Sequence, residues 1–235
     1  MNGSYANPYT VAQTDVDTRS AFIRKTYWHL AGSVLAFIVL EAMLLSIPNI
    51  EQTVFGLLGK SSLSWLIVLG AFMGGSMLAT RWANNSTSLG MQYLGLGFYI
   101  ALEAVIFLPM ILLALRMAPD GDLLVKAGGV TFFLFAALTA IAFTTRKDFS
   151  FLGGMLKMAV IIGIGVIVIS IIGGFELGIL FSAIMCLVAG GYILYGTSNI
   201  IHHYGTDQYV AASLELFASV ALLFWYVLRI FMSRE

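Results

Sequence analysis

The chain has 235 residues, of which 60% are hydrophobic and 10% charged, with 12 basic residues balancing 12 acidic ones. Its mean hydropathy of +0.93 lies far from that of soluble domains, where charged residues make up about a quarter, so the chain is that of a polytopic membrane protein. Neutral balance without a Lys/Arg cluster leaves no electrostatic footprint for nucleic acid. The single cysteine, Cys186, sits in an apolar run and supports neither a disulfide framework nor a thiolate metal site.

A bilayer core of about 30 Å needs about 20 apolar residues per spanning helix. On that measure seven spans are predicted, at 27–48, 64–80, 91–115, 123–144, 155–174, 177–197 and 208–231. The apolar runs are too long for barrel strands of roughly ten alternating residues. The expected fold class is therefore an all-α polytopic membrane protein, a seven-transmembrane-helix bundle over residues 21–235, with residues 1–20 as a flexible cytoplasmic tail. That tail has no apolar h-region and does not read as a signal peptide. Placing the N-terminus inside puts Arg19, Arg24, Lys25, Arg81, Arg146, Lys147 and Lys157 on the cytoplasmic side, against Lys60, Arg116, Lys126, Arg229 and Arg234 outside. This bias predicts a cytoplasmic N-terminus and, with seven spans, an outer C-terminus.

The first span carries Glu41 about two thirds of the way across and reaches Pro48, where a helix can stop. Glu41 reads as part of a polar pathway, as a carboxyl bonded to a neighbouring helix, or as one snorkelling toward the outer surface. His29, beside Tyr27 and Trp28, belongs to an aromatic belt at the membrane boundary. In the second span, Gly70-x-x-x-Gly74 with Gly75 and Ser76 is spaced for close helix packing. None of the glycine pairs follows a strand or opens a phosphate loop, which removes nucleotide binding. The third span places Glu103 near mid-membrane, six residues before Pro109. A carboxyl beside a proline suits a substrate or ion path, and equally a protonated group bonded to a neighbour.

The stretch from Tyr195 to Ile230 crosses from one apolar segment through a polar turn into the last span, which carries Glu215 at a depth where water is not expected. An ionisable group in hydrocarbon costs roughly 2.5–3.5 kcal/mol on insertion scales and marks a site or a protected interior. Neither His-Glu-x-x-His nor Gly-x-Ser-x-Gly is present. The nearest thing to a metal cluster is His202, His203 and Asp207, and adjacent histidines point to different sides of a helix. No catalytic residue, metal site or cofactor is expected.

Two polar blocks carry a resemblance. Thr144 to Leu156 reads TTRKDFSFLGGML, with Thr144, Thr145, Arg146, Lys147 and Asp148 at its head, and Thr197 to His202 reads TSNIIH, including Ser198 and Asn199. With a weaker block at Arg24–Gly32, RKTYWHLAG, they resemble the Bax-inhibitor-1 superfamily, and in particular its bacterial YccA-like branch. The resemblance covers essentially the whole chain and implies six helices around a central seventh. Some members are pH-sensitive calcium leak channels built on a pair of membrane-embedded aspartates. Aligned here, those positions hold Gly196 and Ser219, and an asparagine that usually follows is Leu222, so the paired-acid sensor is missing. Glu215 lies one helical turn, about 6 Å, from Ser219 on the same face and is the candidate substitute. The YccA-like branch implies instead a client and modulator of an FtsH-type AAA protease with its HflK/HflC partners in the bacterial inner membrane, engaged through the N-terminal tail. The expected partners are thus lipid and that protease, with cations as the alternative.

Overall fold

The structure, a computed structural model, describes residues 10–59 and 61–233. A single 3-10 turn, Val11–Gln13, precedes eight helices: α1 (Val16–Leu45), α2 (Ile50–Leu58), α3 (Ser62–Ala83), α4 (Leu89–Met117), α5 (Asp122–Thr145), α6 (Leu152–Gly173), α7 (Ile179–His202) and α8 (Tyr209–Met232). Seven of them, all but α2, are long and apolar enough to cross a membrane.

Two boundaries differ from the expectation. Residues 1–9 of the predicted flexible tail lie outside the described residues, but residues 10–20 are ordered. Asp15 caps α1 by accepting the Thr18 N–H at 2.9 Å, so the helix starts at Val16, eleven positions before the apolar run that marks the span. The cap satisfies an orphan N–H that hydropathy alone does not register. The second difference is α2, expected as loop. It follows Asn49, its N-cap, whose φ of 59° is left-handed. It exposes every residue to some extent and is tied back by an ion pair from Glu51 to Arg116 on α4.

Burial divides the helices sharply. Two thirds of the most apolar stretch of α8, 67%, is buried, and 61% of that of α4, against 6% for α3 and 11% for α5 and α6. The last helix packs against α7, α1, α5, α4 and α3, so it is central, whereas α6 rests on α7 and α3. Large apolar side chains on the outer helices, such as Ile67, Met77, Phe132, Phe133, Ile161 and Leu187, point outward. A protein with apolar residues outside is solvated by hydrocarbon, where helices associate by packing and hydrogen bonding rather than by the hydrophobic effect. Aromatic rings fill the centre: Phe107 stands edge-on to Trp225 at 5.0 Å and to Phe37 at 5.2 Å between ring centres.

The glycine expectation holds at Gly75, where a Cβ would stand 2.7 Å from Leu102 Cδ1 of α4, but needs correction at Gly70 and Gly74, which face outward with nothing within 4 Å of an added Cβ. The closest backbone approach of α3 and α4 is made at Gly95, where a Cβ would stand 2.5 Å from the Ala83 nitrogen and 2.6 Å from the Ala79 oxygen. Spacing identifies residues small enough for contact, but not which face of a uniformly apolar helix meets a neighbour.

Candidate functional site

The polar groups of the two sequence blocks meet at the end of the bundle where α7 turns into α8. The α5–α6 turn bonds part of its own backbone, and α7 takes up two further groups: Ser198 Oγ accepts the Phe149 N–H at 2.9 Å and donates to the Lys147 carbonyl at 3.4 Å. Asp148 Oδ1 accepts the Ser150 N–H at 2.8 Å, and its Oδ2 lies 3.0 Å from His203 Nε2. These contacts, the backbone N–H first and His203 second, hold the Asp148 carboxyl down to about 2. Arg146 ends α5 in the left-handed region at φ 49°, while Thr144 and Thr145 donate to carbonyls of their own helix, Ala140 and Ile141, each at 2.7 Å. The motif is a turn clamped to α7.

The remaining residues of TSNIIH face inward. Thr197 is fully buried, and its hydroxyl, with that of Thr139, lies beside the Tyr27 hydroxyl of α1; all three sequence blocks therefore meet around one end of α7. His202 Nδ1 turns back to the Ser198 carbonyl at 3.0 Å, so the adjacent histidines do part, His202 to its own helix and His203 to Asp148. Asn199 Nδ2 donates to Glu215 Oε1 at 3.4 Å.

Glu215 is held from two sides: the Tyr204 hydroxyl donates to its Oε2 and the Asn199 amide to its Oε1. Burial and the adjoining carboxylate push the Tyr204 phenol above its ordinary range, which keeps it a donor. Gly196 makes the room: a Cβ there would stand 3.3 Å from Leu216 Cδ2 and 3.7 Å from the Glu215 carboxyl carbon. Ser219, one turn on, donates to the Glu215 carbonyl at 2.8 Å. Gly196, Glu215 and Ser219 thus share one seam. Glu215 lies six residues, about 9 Å of rise, into α8 and is half-buried.

The two other acids are not part of this cluster's contacts. Glu41 on α1 is 5% exposed, and neither carboxyl oxygen has a hydrogen-bond partner among the described residues. Glu103 on α4, equally buried, has Tyr99 one turn back as its neighbour. The α4 helix runs on through Pro109.

Sequence reasoning passed over the N-terminal segment and Tyr204. Val11 is fully buried, and its N–H donates to the Tyr204 carbonyl at 2.9 Å. Thr10 pairs with Gly205 in an antiparallel bridge. Arg19 binds the Val11 and Ala12 carbonyls at 3.3 and 2.9 Å. The Phe22 ring packs on Tyr204 with centres 6.4 Å apart. The only local trace is an apolar Val11 among polar neighbours. Its partner lies almost two hundred residues away.

Fold and site together define a seven-span α-helical membrane protein with a central last helix and a polar clamp at one end. A model of the family described as "Inhibitor of apoptosis-promoting Bax1" matches residues 19–235, and the chain belongs to this Bax inhibitor-1 family. It is 32% identical over 227 residues to "Modulator of FtsH protease YccA" of Escherichia coli K12, covering 91% of each chain. It is also 27% identical to "Protein LIFEGUARD 4" of Arabidopsis thaliana, covering 99% of this chain and 93% of that one. With "Bax inhibitor 1" of Schizosaccharomyces pombe it shares 26% identity over 96% and 81% of the two chains.

Proposed function

We propose that this protein is a non-enzymatic modulator, and itself a client, of an FtsH-type AAA protease in a bacterial inner membrane, with its N-terminus cytoplasmic and its C-terminus outside. The observation that carries the reading is the 32% identity with the E. coli protease modulator over 91% of both chains. The ordered anchor at Val11 supports it by bounding the segment a protease would grip: residues beyond the anchor are the handle, and HflK/HflC would be co-partners of the complex. Degradation from the N-terminus then needs the anchor to open.

The test is to delete residues 2–9, leaving Val11 and the Asp15 cap in place, and to follow turnover in cells holding the protease. The truncated protein should persist, co-purify with the protease and slow the loss of its other substrates. Normal turnover together with unaffected substrates would sink the reading.

A second reading, a cation leak of the Bax inhibitor-1 type, is favoured by one feature. Glu215 sits against Gly196 and one turn from Ser219, which puts a carboxyl on the seam where the resemblance implies the lost acids. Calcium flux into liposomes should then fall in Glu215→Gln. Flux that persists unchanged in that variant, or none in the parent, rejects the leak.

A further inference from the structure

We propose that the groove between α1 and α4 binds an anionic glycerophospholipid, with an acyl chain along Gly32 and Gly97 and the phosphate at the Lys25 ammonium. The groove measures about 340 Å³ and is lined by Trp28, His29, Gly32, Tyr93, Gly97 and Ile100 among others, none of them acidic. It exists because glycines face it from both helices: a Cβ on Gly32 or Gly97 would meet nothing within 4 Å. The helices run in the same direction, with His29 beside Tyr93 at one level and Phe37 beside Phe107 further in. The groove therefore leads from the N-terminal end of the bundle toward the membrane interior.

Its two ends differ in chemistry as a phospholipid's do. At the membrane-surface end both ring nitrogens of His29 are engaged, Nδ1 at 2.7 Å from the Lys25 carbonyl and Nε2 at 2.8 Å from the Tyr93 hydroxyl, so the imidazole braces the rim, with its ring 5.0 Å from that of Tyr209. The Lys25 ammonium stands 5.2 Å from the same Tyr209 ring and is exposed, as is Arg24. Lys25 precedes His29 by one turn, and Gly32 follows it, so cation, imidazole and glycine share a face of α1. Trp28, 72% exposed, stands at the rim in the manner of an interfacial aromatic. Toward the interior the lining is Leu96, Gly97 and Ile100 with Ser33, whose hydroxyl already donates to the His29 carbonyl at 2.7 Å, so an acyl chain meets a packing surface. Two exposed cations above an apolar slot select a negative headgroup over a zwitterionic one.

Purified full-length protein in detergent is titrated with phosphatidylglycerol or phosphatidylcholine, and retained lipid is counted by native mass spectrometry. The expected result is about tenfold tighter retention of phosphatidylglycerol, lost in Gly32→Leu and Gly97→Leu, which fill the slot. Lys25→Gln, at an exposed position, should keep the lipid but lose the preference for phosphatidylglycerol, and it decides the matter if the leucine variants fail to fold. Equal retention of the two lipids by the parent overturns the proposal. So does phosphatidylglycerol held undiminished in a folded slot-filled variant, or a change of oligomeric state in Gly97→Leu, which would make a second copy the occupant.

Discussion

Arg146 and Asp148, two positions apart in one turn, act in opposite senses on stability. Arg146 ends α5 with φ 49°, a conformation that crowds Cβ and that glycine adopts freely. Arg146→Gly should raise stability by about 1 kcal/mol, read as a higher unfolding midpoint in detergent. Asp148 contributes through the Ser150 N–H and His203. Its carboxyl is held to about 2 against an ordinary 3.8, so the folded state binds the proton more weakly than the unfolded one. That contribution is fully present above pH ~4 and fades as pH falls through about 2. Asp148→Asn should therefore destabilise at neutral pH, and its difference from the parent should shrink as unfolding is measured at successive pH values from 5 down to 2.

At the scale of elements, the contact of α3 with α4 depends on the missing side chain of Gly95. An added methyl would press into the backbone of α3 at Ala79 and Ala83, and neither helix backbone can yield as a side-chain tip would. Gly95→Ala should cost about 3 kcal/mol, at the upper end of overpacking effects. Gly70→Ala, on the outward face, should be neutral or stabilising by up to ~1 kcal/mol through helix propensity. Thermal unfolding of the two variants in the same detergent compares them. Equal effects would mean that α3 meets its neighbour by another face.

At the scale of the whole molecule, the chain's beginning and its last helix are joined. Val11 is buried against the turn that carries Tyr204, and Tyr204 in turn holds Glu215. The anchor lies at the aqueous end, where burial of apolar area does stabilise. Val11→Ala removes two methyl groups, roughly 1.6 kcal/mol at about 0.8 each. Opening of the segment should become ~tenfold more frequent, and limited proteolysis near the N-terminus should accelerate by the same factor, since cleavage follows the open population. An unchanged rate would show that the Arg19 and Thr10 contacts alone hold the segment.

Composition and run length by themselves determined the membrane class, the seven spans and their approximate limits, because hydrocarbon requires each span to be apolar and helical over its whole length. The polar blocks TTRKD and TSNIIH were visible for the same reason, as breaks in an apolar text, and Glu41, Glu103 and Glu215 stood out as acids within it. What joins them was not visible. Ser198 finds Lys147 and Phe149 about fifty residues away, Tyr204 finds Glu215 across a turn, and Val11 finds Tyr204 from the other end of the chain. Nor did the sequence say which glycines make contact, since Gly70 and Gly95 sit in equally apolar helices. Only the tertiary structure decided these points: helices that are apolar all round carry no periodic signal of which face is buried. Partners that satisfy hydrogen bonds across helices are chosen by geometry, not by neighbourhood in the chain.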